Sequence, residues 1–109
     1  MSELVEFLCH GSHPVELSRY KTADEVRECI DRGYILVRFT DTRGTTELGV
    51  RLDGAQCELD KADFASGAGQ VRLGGHLNLD FVDIECVVDI ELASLTGTGR
   101  VVVLAPASQ

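Results

Sequence analysis

Residues 76–92 read HLNLDFVDIECVVDIEL and form the longest run of alternating apolar and polar residues in the chain. Alternation with a period of two is typical of a β-strand that buries one face. The phase changes after Phe81, and one extra residue there would turn the side chains over, as in a β-bulge. We therefore expect a half-buried strand, or two strands joined by a bulge, whose apolar side is covered by the rest of the chain.

The two faces of the second half of this stretch differ in character. One face is apolar and consists of Ile84, Cys86, Val88, Ile90 and Leu92. The other face carries Asp83, Glu85, Val87, Asp89 and Glu91. Like charges two residues apart repel, so arginines on other predicted strands are expected to pair with them. The pattern favours an ordinary solvated sheet face, and the alternatives are a cation site or a docking surface for a basic partner. Cover of part of this face by another subunit would explain the apolar Val87 among the carboxylates.

One short helix is predicted over residues 23–32. Thr22 and Glu25 have the spacing of a capping box, in which the hydroxyl accepts from a backbone amide and the carboxylate reaches back. Gly33 suits the left-handed position that ends a helix. A helix of about ten residues is marginal alone, so it is predicted to dock on the sheet. Its apolar stripe would be Ala23, Val26, Cys29 and Ile30.

The remaining sequence predicts short strands separated by turns. The clearest β-hairpin joins residues 34–40 to residues 46–52. Gly74 and Gly75 are predicted to form a further hairpin turn. Residues 101–104 are all apolar, which is typical of a strand buried on both faces. Further strands are predicted at residues 4–9, 15–20, 56–59, 71–73 and 100–104, and connections at residues 60–70 and 93–99.

These patterns predict one β-rich domain over residues 1–109, with a frayed tail at 105–109. A chain of 109 residues, 44% of them hydrophobic, is long enough to bury a core without disulfides. The expected class is α+β, mainly β. The expected architecture is an antiparallel β-sandwich or a flattened barrel of six to eight strands with one helix.

The charge balance bears on the kind of partner. The chain has 18 acidic and 10 basic side chains, a formal net charge of −8, and no basic cluster. Phosphate neutralisation supplies most non-specific affinity for nucleic acid, so binding of RNA or DNA is not expected. A basic protein partner or a cation fits the charge better, although acidic surfaces also keep small proteins in solution.

The sequence also predicts the compartment. Its first residues lack the charged start and apolar core of a signal peptide, and no apolar run approaches the ~20 residues that span a bilayer. We therefore expect a cytoplasmic protein without membrane contact. In that reducing compartment, cysteines without a paired motif are expected to be free and mostly buried thiols. They are Cys9, Cys29, Cys57 and Cys86.

A cluster of metal-binding residue types lies near the amino terminus. Cys9, His10 and His13 fall within five residues, and thiolate and imidazole are ligands that zinc prefers. Structural zinc sites usually combine two ligand pairs, and the sequence offers no second pair. The cluster is therefore interpreted first as an exposed turn beside a buried cysteine, with a zinc site as the alternative.

No catalytic residues are predicted. Cys9 and His10 are adjacent, so on a strand their side chains would point to opposite faces and would not form a nucleophile–base pair. Cys29 and Cys86 fall on predicted apolar faces and are interpreted as packing residues. The glycine-rich stretches lack the helix and lysine of a phosphate loop.

Together these features favour a small, acidic, non-enzymatic interaction protein. We expect it to associate with itself and to bind a protein partner through the acidic face of residues 83–91 or through a strand edge. The alternative is a small-molecule- or metal-binding regulator. That regulator would use the turn from Cys9 to His13, with zinc as the cofactor, or a pocket between the helix and the sheet.

Overall fold

The computed structural model describes residues 3–104, and the tail predicted at 105–109 lies outside the described residues. The helices are α1 (Glu3–Leu8) and α2 (Ala23–Arg32), and a 3-10 turn covers Gly54–Gln56. The strands are β1 (His13–Glu16), β2 (Tyr34–Phe39), β3 (Thr46–Leu52), β4 (Ala62–Asp63), β5 (Ala68–Leu79), β6 (Val82–Glu91) and β7 (Thr96–Val103).

The strands form an antiparallel barrel. Their order is β3-β2-β1-β7-β6-β5-β4, and a further pairing of β3 with β5 closes six of them into a ring. The two residues of β4 pair with the start of β5 outside that ring. The mainly β class is confirmed, and the structure has the barrel rather than the sandwich. Within residues 3–104 there are two α-helices instead of the single one expected.

The phase change after Phe81 is a hairpin turn and not a bulge. β5 and β6 pair in continuous register up to Leu79↔Val82, which leaves Asp80 and Phe81 as a two-residue loop. Both loop residues have positive φ, 51° and 66°, as a type I′ turn requires. Residues 76–92 therefore belong to two strands that lie side by side. A bulge and a tight turn both interrupt the alternation, so the pattern alone did not separate them.

Gly74 and Gly75 lie inside β5, so the hairpin turn predicted there is wrong. A Cβ atom at Gly75 would overlap the carbonyl oxygen of Arg51, at the point where β3 closes the barrel. A Cβ atom at Gly74 would lie 2.7 Å from the Cβ of Gln56 in the 3-10 turn. The two glycines thus allow two other segments to approach β5 closely.

The barrel interior is filled by aliphatic side chains and Phe39. The apolar face predicted for residues 84–92 is buried there, including Cys86. By contrast, β7 is buried on one face only, because Val101 is 2% exposed and Val102 is 55% exposed. The prediction that residues 101–104 are covered on both faces is therefore wrong. An apolar run does not show how many of its faces are covered.

Helix α2 forms over the predicted residues. The backbone N–H of Glu25 donates to the Thr22 hydroxyl at 3.2 Å, and the Glu25 carboxylate accepts from the N–H of Lys21 at 2.9 Å. Gly33 ends the helix with φ 80° and donates to two carbonyl groups of the last turn. The buried stripe contains Ala23, Val26 and Cys29.

Helix α1 takes the place of the strand predicted at residues 4–9. Val5 and Leu8 are three positions apart, so a helix places them on one face, and neither side chain is exposed. A segment of six residues matches a period of two or of 3.6 almost equally well. Docking against β7 decides in favour of the helix.

Other boundaries follow backbone pairing more than side-chain pattern. The hairpin of β2 and β3 is confirmed. The strand predicted at residues 15–20 forms nearer the amino terminus, as β1. Residues 56–59 contain only the end of the 3-10 turn and a single bridge from Glu58 to Arg72. The two predicted connections include β4 and the first parts of β5 and β7. Stretches rich in glycine and threonine show no apolar period, because these residues pair through the backbone without forming an apolar face. Periodicity therefore does not predict a strand there.

Candidate functional site

The ring of strands is joined only weakly between β3 and β5. β3 pairs with β2 from Thr46 to Arg51, but with β5 only at Arg51 and Leu52. Beyond these two positions no registered pair joins the two strands in the described part of the chain. We call the resulting gap the β3–β5 slot, and it is bounded by residues 46–50 of β3 and 77–79 of β5.

Backbone amides of β3 point into the β3–β5 slot. Successive residues of an antiparallel strand direct their N–H groups to opposite sides. The N–H of Leu52 donates on the β2 side, and the N–H of Asp53 donates to the carbonyl of Gly74 in β5 at 2.9 Å. The N–H groups of the odd-numbered residues of β3 therefore point toward β5. Those of Glu47 and Gly49 point into the slot.

The opposite edge of the slot is also unpaired. Arg72 exchanges two backbone hydrogen bonds with Glu58, of 3.0 and 2.8 Å, on the side of β5 away from β6. Even-numbered residues of β5 therefore face away from β6, so the amide of Asn78 points into the slot. Within residues 3–104, Asn78 has a registered partner only on β6. The slot thus offers backbone donors and acceptors from two strands.

The slot opens into a groove of about 700 Å³. Its wall on the β3 side is formed by Tyr34, which is 48% exposed and lies over Gly49, where a Cβ atom would overlap the tyrosine hydroxyl. The polar lining residues include Arg51, His76 and Asn78, and the apolar ones include Leu48, Leu77, Leu79 and Leu104. The groove therefore combines exposed backbone with an apolar floor, as sites for extended peptides do.

Two carboxylates border the groove. Both carboxylate oxygens of Glu47 share the single Nε–H of Arg19, each at 3.0 Å, and this hydrogen bond lowers the pKa of the Glu47 carboxyl below its usual value. Asp83 accepts from the side-chain amide of Asn78 at 3.1 Å. Glu47 is therefore ionised at neutral pH, its charge is paired with that of Arg19, and the guanidinium of Arg51 also lines the groove.

The acidic residues predicted as a binding face do lie together on the outer side of β6. Three of the four carboxylates have short internal contacts: Asp83 with Asn78, Glu85 with Gln56 at 2.7 Å, and Asp89 with Arg72 at 2.8 Å. Glu91 accepts a longer bond from Gln70 at 3.4 Å. Neighbouring segments therefore compensate the like charges, as predicted. Among the described residues the partners are mostly side-chain amides, and one of them is an arginine.

Val87 lies in the middle of this face and is partly buried. Its neighbours across the strands are Gly74 on β5 and Arg100 on β7. The segment around Gln56 crosses β5 at Gly74, the cross-strand neighbour of Val87. Cover of Val87 by another subunit stays a prediction.

The predicted metal ligands occupy separate elements. Cys9 and His10 follow α1, whereas His13 is the first residue of β1. Cys9 is partly buried and His10 is exposed. Within residues 3–104 no group of three or more His, Cys, Asp or Glu side chains is arranged to hold a metal ion. The four cysteines are free, and Cys29 and Cys86 are buried.

His13 is a buried strand residue, so the exposed turn predicted here does not include it. It is 4% exposed, and its Nδ1 lies 2.8 Å from the Asp41 carboxylate. The ring packs against Phe7, with centroids 4.8 Å apart, and makes an edge-on contact with Phe39, with centroids 6.4 Å apart. Nε2 is buried and has no hydrogen-bond partner among the described residues. The sequence did not pair His13 with Asp41, because 28 positions separate them.

The β3–β5 slot could not be found from the sequence. Its edges come from two strands that meet only through barrel closure, and both strands have ordinary alternation. The one local signal is Gly49 inside a strand, since such a glycine often marks a close approach. Among residues 3–104 no helix is long and apolar enough to cross a membrane. No protein-family model matches the chain, and no curated protein is significantly similar to it.

Proposed function

We propose that this protein is a non-enzymatic binding module that takes up an extended segment of a partner protein as an additional strand in the β3–β5 slot. The observation that carries the proposal is the set of backbone amides of Glu47, Gly49 and Asn78, which point into the slot. An unpaired strand edge is a template for another strand, and natural proteins usually cover or shorten such edges. Strand addition is an established mode of peptide recognition.

The groove favours a particular side-chain pattern in that segment. Alternate side chains of a bound strand would face inward, toward Leu48, Leu77 and Leu79, and outward, toward Tyr34 and the solvent. An alternation of apolar and polar residues would satisfy both sides. Main-chain hydrogen bonds would supply affinity, and the leucine-lined floor would supply selectivity.

Charge favours a basic partner. The chain has a net charge of −8, and two carboxylates, Glu47 and Asp83, border the groove against one guanidinium, Arg51. Complementary charge raises the rate of association and disfavours acidic competitors. A second copy of this chain is the alternative occupant, but it would bring a further −8. The acidic face of β6 is the alternative surface for the same cytoplasmic partner.

A peptide titration followed by NMR tests the proposal. The probe is a blocked peptide of alternating valine and arginine, about nine residues long so that it spans the slot at ~3.3 Å per residue. We expect shifts of the amides of Glu47, Gly49 and Asn78, with slower hydrogen exchange. A matched peptide with proline at alternate positions lacks the donors and should produce neither effect.

A pair of variants at one position separates backbone pairing from charge. Glu47→Pro and Glu47→Ala both remove the ion pair with Arg19, but only proline removes the amide that faces the slot. We expect Glu47→Ala to lose only the part of the affinity that depends on the carboxylate, and Glu47→Pro to bind the peptide much more weakly than Glu47→Ala. Equal binding by the two variants, or peptide-induced amide shifts confined to Glu85 and Glu91, would contradict binding of the peptide in the slot.

Sedimentation of the parent protein and of Glu47→Pro tests the second-copy alternative. If two copies fill the slot, the parent is a dimer and Glu47→Pro is a monomer. A monomeric parent that binds the peptide supports the proposal. A dimer of both proteins would place self-association elsewhere.

A metal-binding regulator remains a second candidate because of His13. Metal-bound histidines usually donate their other ring N–H to a carboxylate, and Nδ1 of His13 lies 2.8 Å from Asp41 while Nε2 has no partner within residues 3–104. Native mass spectrometry of the purified protein tests this function. A stoichiometric zinc increment that is lost in His10→Ala and His13→Ala would support it, and unchanged metal content in the variants would refute it.

A further inference from the structure

The hairpin between β5 and β6 carries an aromatic residue in an unfavourable backbone conformation. Asp80 and Phe81 form its two-residue loop, with φ 51° and 66°. Asp, Asn and Gly tolerate the left-handed region, whereas a bulky residue there is a genuine outlier. Phe81 therefore occupies a position for which glycine would be better on grounds of stability alone.

The Phe81 side chain has no structural role that offsets this cost. It is 99% exposed, more than the other large apolar side chains exposed in residues 3–104. The flanking residues Leu79 and Asp83 line the groove of the β3–β5 slot. The backbone of Phe81 is strained, and its ring is fully solvated at the end of a groove. This combination suggests selection for contact with a ligand.

The residues around the ring narrow the choice of ligand. Asp80 is exposed, and its side chain has no hydrogen-bond or ion-pair partner among the described residues. Asp83 lies on the other side of the loop and borders the groove. An exposed aromatic ring next to an unpaired carboxylate in the chain attracts a cation, through the ring quadrupole and through charge. An apolar pocket of a partner would instead have to desolvate both carboxylates.

We propose that Phe81, together with Asp80, binds a lysine or arginine side chain of the partner segment at the open end of the β3–β5 slot. The inference rests on the proposed function and names its partner class: an extended segment that carries a cationic residue beyond the part paired in the slot. The molecule already contains one such contact, because the guanidinium of Arg27 lies 5.2 Å from the centre of the Phe64 ring.

Phe81→Gly tests the aromatic contact with two readouts of opposite sign. Glycine relieves the left-handed strain, so the urea midpoint of unfolding should rise. Loss of the ring should weaken binding of the valine–arginine peptide by about threefold to tenfold, the range of a partly exposed cation–π contact. A purely structural role for Phe81 would give a lower midpoint and unchanged binding, which would overturn the inference.

Thr45→Gly is the matched control for strain. Thr45 is exposed and has φ 57° in the turn between β2 and β3, but it carries no ring or charge. The variant should raise the urea midpoint and leave peptide affinity unchanged. Weaker binding by Thr45→Gly to the extent seen for Phe81→Gly would show that turn flexibility, and not the ring, controls affinity.

Peptide charge and Asp80→Asn complete the test. Asparagine tolerates the left-handed conformation and removes only the charge, so Asp80→Asn should weaken the arginine peptide and not its valine–glutamine counterpart. Both peptides could shift the amide signals of Gly49 and Asn78 and bind the parent and Phe81→Gly with equal affinity. That result would support binding in the slot and refute the cation site. If neither peptide shifts those amides, both proposals are refuted.

Discussion

Gly75 lies in the middle of β5 because another strand crosses there. Its missing side chain leaves room for the carbonyl of Arg51, and the same crossing closes the barrel. Seen in the sequence, two consecutive glycines are typical of a turn. The interpretation was wrong because a close approach by a distant strand leaves no separate mark in the local pattern.

We predict that Gly75→Ala lowers the free energy of unfolding by about 1–3 kcal/mol or more, since the added methyl group forces the backbone of β3 away. Urea denaturation measures the change. Gly54→Ala is the control, because a Cβ atom at Gly54 would have no neighbour within 4 Å and its φ is not positive. A change in Gly75→Ala no larger than in this control would contradict the crowding argument.

The Cys86 thiol shows how burial affects chemistry at a single residue. Burial raises the pKa of this thiol to about 12 from the usual value of 9.0. Because the thiolate is the reactive form, we predict that Cys86 resists iodoacetamide at pH 8 in the native protein. Partly exposed Cys9 and Cys57 should be modified first, as peptide mass spectrometry will show. Early labelling of Cys86 would mean that the barrel opens.

The same shift predicts a dependence of stability on pH. The unfolded thiol ionises above its usual pKa of 9.0, whereas the folded thiol stays neutral up to a pKa of about 12. Stability from this group is therefore complete below pH 9 and falls above it by about 1.4 kcal/mol per pH unit. Urea denaturation of the parent and Cys86→Ala at pH 8 and 10 should give a difference that shrinks as pH rises. A constant difference would contradict the burial effect.

At the scale of elements, α1 and α2 differ in how far the sequence specifies them. α2 has a cap at each end, and its local signals agree with its packing. The six residues of α1 have no such agreement, and α1 depends on burial of Val5 and Leu8. Short helices gain most of their stability from tertiary packing.

We therefore predict that Leu8→Ala lowers the free energy of unfolding by about 2–5 kcal/mol, as expected for a fully buried leucine. Glu6→Ala changes an exposed residue of the same helix and should alter stability by less than about 0.5 kcal/mol. Urea denaturation of both variants measures the difference. Similar small effects at both positions would show that α1 does not dock as described.

At the scale of the whole molecule, the barrel has two weak joints, because the β3–β5 closure and the β1–β2 pairing have two registered pairs each. By contrast, β5 and β6 are paired at ten positions. Local opening is favoured where buried contacts and paired amides are few. The slot is therefore both the candidate binding site and one of two expected points of opening.

Hydrogen exchange at single-residue resolution checks this view. We predict fast exchange at Glu47 and Gly49, whose amides face the slot, and slow exchange at Leu48 and Val50, whose amides pair with β2. This alternation of protection along one strand is the signature of a free edge. Uniform protection from residue 46 to residue 50 would mean that the edge is already covered in solution.

The sequence alone determined the features that depend on neighbours along the chain. The capping box and left-handed glycine specified α2, and alternation specified the β2–β3 hairpin and the buried face of β6. The same alternation placed the carboxylates of residues 83–91 together on one outer surface. These features follow from geometry that repeats every two or 3.6 residues.

Only the tertiary structure decided which distant segments meet. Barrel closure, the crossing at Gly75 and the pairing of His13 with Asp41 join residues more than 20 positions apart. The β3–β5 slot is a consequence of where that closure stops, and Phe81 gains its proposed role only from its place at the slot. A linear pattern records what each residue prefers locally, whereas the fold is selected by burial summed over the whole chain.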